Sequence, residues 1–127
     1  MSIPIAHEVQ IEEQPGSSEG VRILKVAGPL TINNFFTFQD RCRKDPPKIL
    51  IIDLSGTPFI DSAALGSIIG VHVSSEKAGR KYALVGVPER LRSLFAMTGV
   101  NDLLITYPTI ADAEAALLQT VNHGKLS

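Results

Sequence analysis

Ile49-Leu50-Ile51-Ile52, a run of four aliphatic side chains between Lys48 and Asp53, leaves few ways for this chain to fold. Side chains alternate between the two faces of a strand, so an unbroken apolar run must be covered on both sides, as in a parallel sheet packed against helices. The segment is read as the centre of an α/β fold. A second buried strand follows at Tyr82-Ala83-Leu84-Val85-Gly86-Val87, and a short one at Leu103-Leu104-Ile105-Thr106.

Nearer the N-terminus the pattern changes. Glu8-Val9-Gln10-Ile11-Glu12 alternates polar with apolar, Pro15-Gly16-Ser17-Ser18 interrupts it, and Val21-Arg22-Ile23-Leu24-Lys25-Val26 resumes, which predicts a hairpin at the edge of the sheet. Four helices are predicted. Thr31 caps the first, with Phe35, Phe38 and Cys42 at helical spacing and Pro46-Pro47 beyond its end. The second starts at Asp61 or Ser62 and runs to Ala78, with Leu65, Ile68, Ile69 and Val73 on one face and Gly79 as its stop. Pro88 opens the third, which turns Leu91, Leu94 and Phe95 inward and ends at Gly99. Thr109-Ile110-Ala111-Asp112 reads as a capping box before a fourth, whose stripe is Ile110, Ala113, Leu117 and Val121. This order predicts a mixed β-sheet with an antiparallel edge hairpin and a parallel part joined by right-handed crossovers, packed with four α-helices. At 127 residues and 44% hydrophobic the chain can bury one core, so a single domain over residues 1–127 is expected, with the core at about 8–122 and disordered ends.

Several function classes are disfavoured. Twelve Lys and Arg against 13 Asp and Glu give a net charge of -1, without the cationic excess that nucleic acid requires. The single cysteine, Cys42, cannot form an internal disulfide, and a reducing compartment fits it. With no basic, apolar leader at the N-terminus and no run long enough to span a bilayer, a soluble cytoplasmic protein is expected. Gly56, Gly66 and Gly70 form no phosphate-binding loop, and His7, His72 and His123 have no companions at metal-ligand spacing. His72, seven residues after Leu65, is read as a partly buried, hydrogen-bonded side chain. Asp53 and Asp61 fall near the C-terminal edge of the sheet, but two acids without a nucleophile, metal set or pocket are weak grounds for hydrolysis. No catalytic residue, metal or cofactor is expected.

Thr57-Pro58-Phe59-Ile60-Asp61-Ser62-Ala63-Ala64-Leu65-Gly66 carries a hydroxyl to a helix N-terminus just after the central strand, where α/β folds place functional groups. Ile60 and Leu65 are spaced as a hydrophobic staple about an Asp61 cap, so a purely structural account suffices. The same geometry suits a phosphoserine, whose negative charge is tolerated by the N–H groups and positive dipole end of the helix.

These residues resemble a known family. Residues 51–66, and the block Val85-Gly86-Val87-Pro88-Glu89-Arg90-Leu91-Arg92-Ser93-Leu94-Phe95-Ala96-Met97-Thr98-Gly99-Val100, look like the two signature segments of STAS domains of the anti-sigma factor antagonist type, and the likeness extends over residues 9–121. The resemblance implies the STAS fold and a cytoplasmic partner-switching module that regulates transcription. In that role the module sequesters an anti-sigma factor/serine-protein kinase, which phosphorylates it at Ser62, and a phosphoserine phosphatase resets it. It implies partner contacts at Thr31 and Asn33 in the turn after the second strand, and at Asp61, Ser62, Ala63, Ala64, Leu65 and Ser67. No nucleic-acid partner, no direct membrane insertion and a monomer or weak dimer complete the expectation. Two departures stand out: Ala63-Ala64 where the family has Ser or Thr and then Gly, and Pro29-Leu30-Thr31 where many members carry acids. Ala64 in place of Gly stiffens the helix start by up to roughly 1 kcal/mol. The departures keep open an alternative, a constitutive STAS subunit of a signalling scaffold or of a lipid transport complex.

Overall fold

The computed structural model describes the backbone of residues 9–126 and the side chains of residues 9–119. His7, Glu8 and the expected disordered N-terminus lie outside the described residues, as do the side chains of Val121 and His123; residues 124–126, expected to be disordered, instead continue the last helix. Five strands form one sheet in the order β1-β2-β3-β4-β5. β1 (Gln10–Pro15) and β2 (Val21–Ala27) pair antiparallel as the edge hairpin. β3 (Ile49–Gly56), β4 (Lys81–Val85) and β5 (Thr106–Tyr107) continue the sheet in parallel. Between them lie α1 (Phe35–Arg43), α2 (Ser62–Ala78) and α3 (Glu89–Thr98), and α4 (Ile110–Leu126) follows β5.

The run at Ile49–Ile52 behaves as its composition requires. Leu50 and Ile52 join Leu24, Val26, Tyr82 and Leu84 in a core covered by Phe38 and Cys42 of α1, Leu65 and Ile68 of α2, and Leu91 and Phe95 of α3. Ile49 and Ile51 point the other way, joining Ile23, Ala83 and Val85 beneath Ala113 and Leu117 of α4. Period-two alternation thus supplies two cores from one strand, three helices on one face and one helix on the other.

Local chemistry moves several boundaries. Thr31 does not cap α1: the helix begins at Phe35, with Asn34 at the N-cap position. The side chain of Asn34 is spent on the loop, where its Oδ1 accepts from the Thr31 N–H at 2.8 Å and its Nδ2 donates to the Pro29 carbonyl at 2.9 Å. The Thr31 hydroxyl instead accepts from Asn33 N–H inside that turn. On α2 Val73 faces solvent and Ile69 is half-buried, whereas Ala64, Ser67, Val71 and Ser75 turn inward with Leu65 and Ile68, so small residues form much of the packed face. Gly79 closes this helix in the left-handed conformation at φ 68°, which suits a residue without Cβ. Gly86, at φ 63°, ends β4 two residues before the expected Val87. The last strand is shorter and later than residues 103–106: Leu103 and Leu104 donate to the Val100 carbonyl in a turn, which leaves only Thr106 and Tyr107 to pair with β4. At the start of α4, Asp112 N–H donates to Thr109 Oγ1, the N-capping half of the expected box.

His72 is the bonded histidine that was expected. Its Nδ1 lies 2.9 Å from the Tyr82 hydroxyl, which also accepts from Ile105 N–H at 3.1 Å, tying α2, β4 and the approach to β5 together. Ile51 and Leu84 are both wholly buried, but they belong to cores on opposite faces of the sheet. Each truncation to Ala should cost about 2 to 5 kcal/mol, and the double variant should lose the sum to within about 0.5 kcal/mol. Denaturant unfolding checks this; unchanged midpoints would contradict the strand assignment.

Burial also pushes the Cys42 thiol up from 9.0 to about 12, against the lowering pull of Arg41 and Arg43. Above pH 9 the unfolded chain loses this proton while the folded chain keeps it, so stability should fall as pH rises from 9 toward 12. Tyr82, raised from 10.0 chiefly by burial, adds to that fall only at higher pH. Cys42→Ala should flatten the stability curve from pH 9 upward, as read by denaturant titration at several pH values; the same slope in both proteins would show that the thiol is not held protonated.

Candidate functional site

The C-terminal ends of β2 and β3 release two loops that are bonded to each other. Gly56 lets the strands approach here, since a Cβ on it would stand 3.2 Å from the Val26 carbonyl oxygen. Thr57, fully buried, donates its hydroxyl to that same oxygen at 3.0 Å, and Gly28 N–H donates to the Gly56 carbonyl at 2.9 Å. Farther along, Leu30 and Ile60 form an isolated parallel bridge: Leu30 N–H donates to the Phe59 carbonyl and Asp61 N–H to the Leu30 carbonyl, both at 3.2 Å.

Asp61 completes the junction. One carboxylate oxygen accepts from Ala64 N–H at 3.0 Å and caps α2, as its sequence position predicts. The other accepts from Ile32 N–H at 2.8 Å, across 29 residues, and so holds the turn before α1 against the start of α2. Ile60 and Leu65 are both buried on the two sides of the cap, as a staple requires. Asp53 is separate from this arrangement; its carboxylate accepts from Ser55 N–H at 2.9 Å within its own loop.

The sequence-derived site residues divide by burial. Ser62 is exposed at the first position of α2, Ala63 and Asp61 are half-buried beside it, and Asn33 is exposed on the neighbouring turn. Thr31, Ala64, Leu65 and Ser67 are buried, so these four shape the face from beneath. The backbone N–H groups of the first helical turn and the helix dipole make the Ser62 position favourable for an added anion. Among the described residues no group of three His, Cys, Asp or Glu side chains could hold a metal, and no helix is long and apolar enough to cross a membrane.

Sequence reasoning missed a set of exposed apolar side chains, two of them on the loops of this junction. Ile32 (60% exposed), Phe36 (64%), Phe59 (41%) and Met97 (83%) are large hydrophobic side chains open to solvent. The ring of Phe36 lies 4.2 Å from that of Phe35, while Phe59 and Met97 line a shallow hollow of about 340 Å³ with Arg90 and Leu94. Ile32 and Phe59 belong to the bonded loops themselves, so the junction presents apolar as well as polar groups to solvent. The available signal was position: Phe36 and Met97 fall off the inward stripes of their helices, next to Phe35 and two residues past Phe95.

Residues 9–113 match the family model described as the STAS domain. The chain is 32% identical over 100 residues to a Thermotoga neapolitana protein named as an anti-sigma factor antagonist homologue, covering 75% of this chain and 88% of that one. It is 34% identical over 56 residues to the anti-sigma-B factor antagonist of Listeria monocytogenes, a match that covers 44% of this chain and about half, 49%, of that protein. The crystal structure of an anti-sigma factor antagonist from Mycobacterium paratuberculosis has the same fold, with a TM-score of 0.76 at 22% identity over 91% of this chain and 98% of that one. With its mixed five-stranded sheet, its four helices and these likenesses, the chain belongs to the STAS domain proteins of the anti-sigma factor antagonist family.

Proposed function

We propose that this chain is an anti-sigma factor antagonist that acts by binding and not by catalysis. The face around Ser62 holds an anti-sigma factor/serine-protein kinase, and phosphorylation of Ser62 ends that hold. Chief support for this reading is the placing of an exposed serine hydroxyl at the first position of α2, beside a carboxylate that already joins two loops, one of which carries the exposed Ile32. The kinase transfers the γ-phosphoryl group of ATP to Ser62 Oγ, and a phosphoserine phosphatase hydrolyses it. Contacts run through Asn33, Asp61, Ser62 and Ala63 and through the apolar groups Ile32, Phe36 and Phe59, while Thr31, Ala64, Leu65 and Ser67 set their positions from below.

The physics of the switch is local. A phosphoserine adds about -1.5 to -2 of charge at neutral pH. The helix end tolerates that charge, so the domain stays folded. In a partner interface the same charge stands next to the Asp61 carboxylate and among apolar groups, where an uncompensated like charge opposes binding. Repulsion also weighs on the Asp61 carboxylate that accepts from Ile32 N–H, so the turn carrying Ile32 and Asn33 feels the modification without touching it.

Ser62→Ala should fold as wild type, resist phosphorylation and bind the partner undiminished. Ser62→Asp should also fold but bind about tenfold more weakly, equivalent to about 1.4 kcal/mol. Titration calorimetry against the kinase partner, with mass spectrometry after incubation with kinase and ATP, reads both. Equal affinities for all three proteins and no mass shift on wild type would sink the switch and favour a constitutive subunit.

A further inference from the structure

A cavity of about 310 Å³ lies between α1 and α2, with Leu50 of β3 in its wall. That volume is at the lower end of the range for small-molecule sites. Leu50, Val71 and Pro47 give it apolar walls, and Ser67, Ser74 and Ser75 supply hydroxyls. Arg43, Arg80 and Lys81 line it too, and no carboxylate does. Among the described residues these three cations make no side-chain ion pair or hydrogen bond.

Two further observations separate this cavity from a packing flaw. Ser67, only 5% exposed, has a buried Oγ with no hydrogen-bond partner among the described residues. A serine inside a helix ordinarily returns its hydroxyl to a carbonyl one turn back, and a buried unpaired hydroxyl is costly, so this one is open to an external partner. Gly70, one turn on, lines the same space, and a Cβ added there would meet nothing within 4 Å. Its missing side chain is room left vacant in a helix interior, at a cost in helix propensity.

We propose that this cavity binds a small amphipathic anion, one carboxylate or phosphate group on a short aliphatic body. The anionic head is held by Arg80, Lys81 and Arg43, and the body lies against Leu50, Val71 and Gly70. Binding here requires no modification of Ser62, although Ser67 lies beneath the face around Ser62 and lines this cavity as well. The cavity shares α2 with the switch, so occupancy that sets the spacing of α1 and α2 acts on the helix that carries Ser62.

Octanoate is the probe, with octan-1-ol and inorganic phosphate as its uncharged and headgroup-only counterparts, followed by amide chemical shifts of the full chain. Saturable shifts centred on Cys42, Ser67, Gly70, Val71 and Ser75 are expected with octanoate, and about tenfold weaker binding for either counterpart and for the Arg80→Gln, Lys81→Gln double variant. Gly70→Leu should keep the fold, raise the melting temperature and abolish the shifts. Absence of saturable shifts at these amides, shifts centred elsewhere, equal binding of octan-1-ol or phosphate, or undiminished binding by Gly70→Leu would each overturn the proposal.

Discussion

A strand that is apolar on both faces cannot lie at a surface, and β3 is such a strand. Leu50 and Ile52 require a cover on one side of the sheet, Ile49 and Ile51 on the other, and burial at about 25 cal/mol per Å² of apolar surface makes both covers obligatory. Three helices meet the first demand and α4 the second. Parallel neighbours on both sides of β3 follow from the same constraint, because each crossover delivers one of the covering helices. The C-terminal ends of β2 and β3 are thereby brought side by side, and their loops meet before any functional residue is considered.

Asp61 turns that meeting into a site. A carboxylate has capacity for several hydrogen bonds, and here one oxygen serves the helix while the other serves the facing loop. The cap alone would fix Ser62 at a helix start. The second bond brings Ile32 and Asn33 alongside it, so one side chain organises a surface drawn from two parts of the chain that are 29 residues apart. Backbone bonds at Leu30 and Asp61 supply the rest of the registry.

What was legible in the sequence follows from range. The central run, the edge hairpin, the Asp61 cap and the Gly79 stop are local patterns, each with a physical cause within a few residues. Thr31 misled because its hydroxyl accepts from Asn33 N–H within the turn, while the helix starts later, after Asn34, whose amide is spent on the same loop. Val73 misled because small side chains, Ala64, Ser67 and Ser75, form the packed face of α2, and hydrophobicity alone does not identify them. The bond from Ile32 N–H to Asp61 left no trace at all, since a backbone donor carries no side-chain signature. For the exposed Ile32, Phe36, Phe59 and Met97, the ordinary rule that large apolar groups go inside points the wrong way.

Amide hydrogen exchange on wild type and Asp61→Ala tests most directly whether one carboxylate joins the two loops. Removing it should strip protection from both Ile32 and Ala64 while Ile51 in β3 keeps its slow exchange, because the sheet does not depend on the junction. Loss at Ala64 with unchanged protection at Ile32 would contradict the account: Asp61 would then be a helix cap only, and the face around Ser62 would be held together by something else.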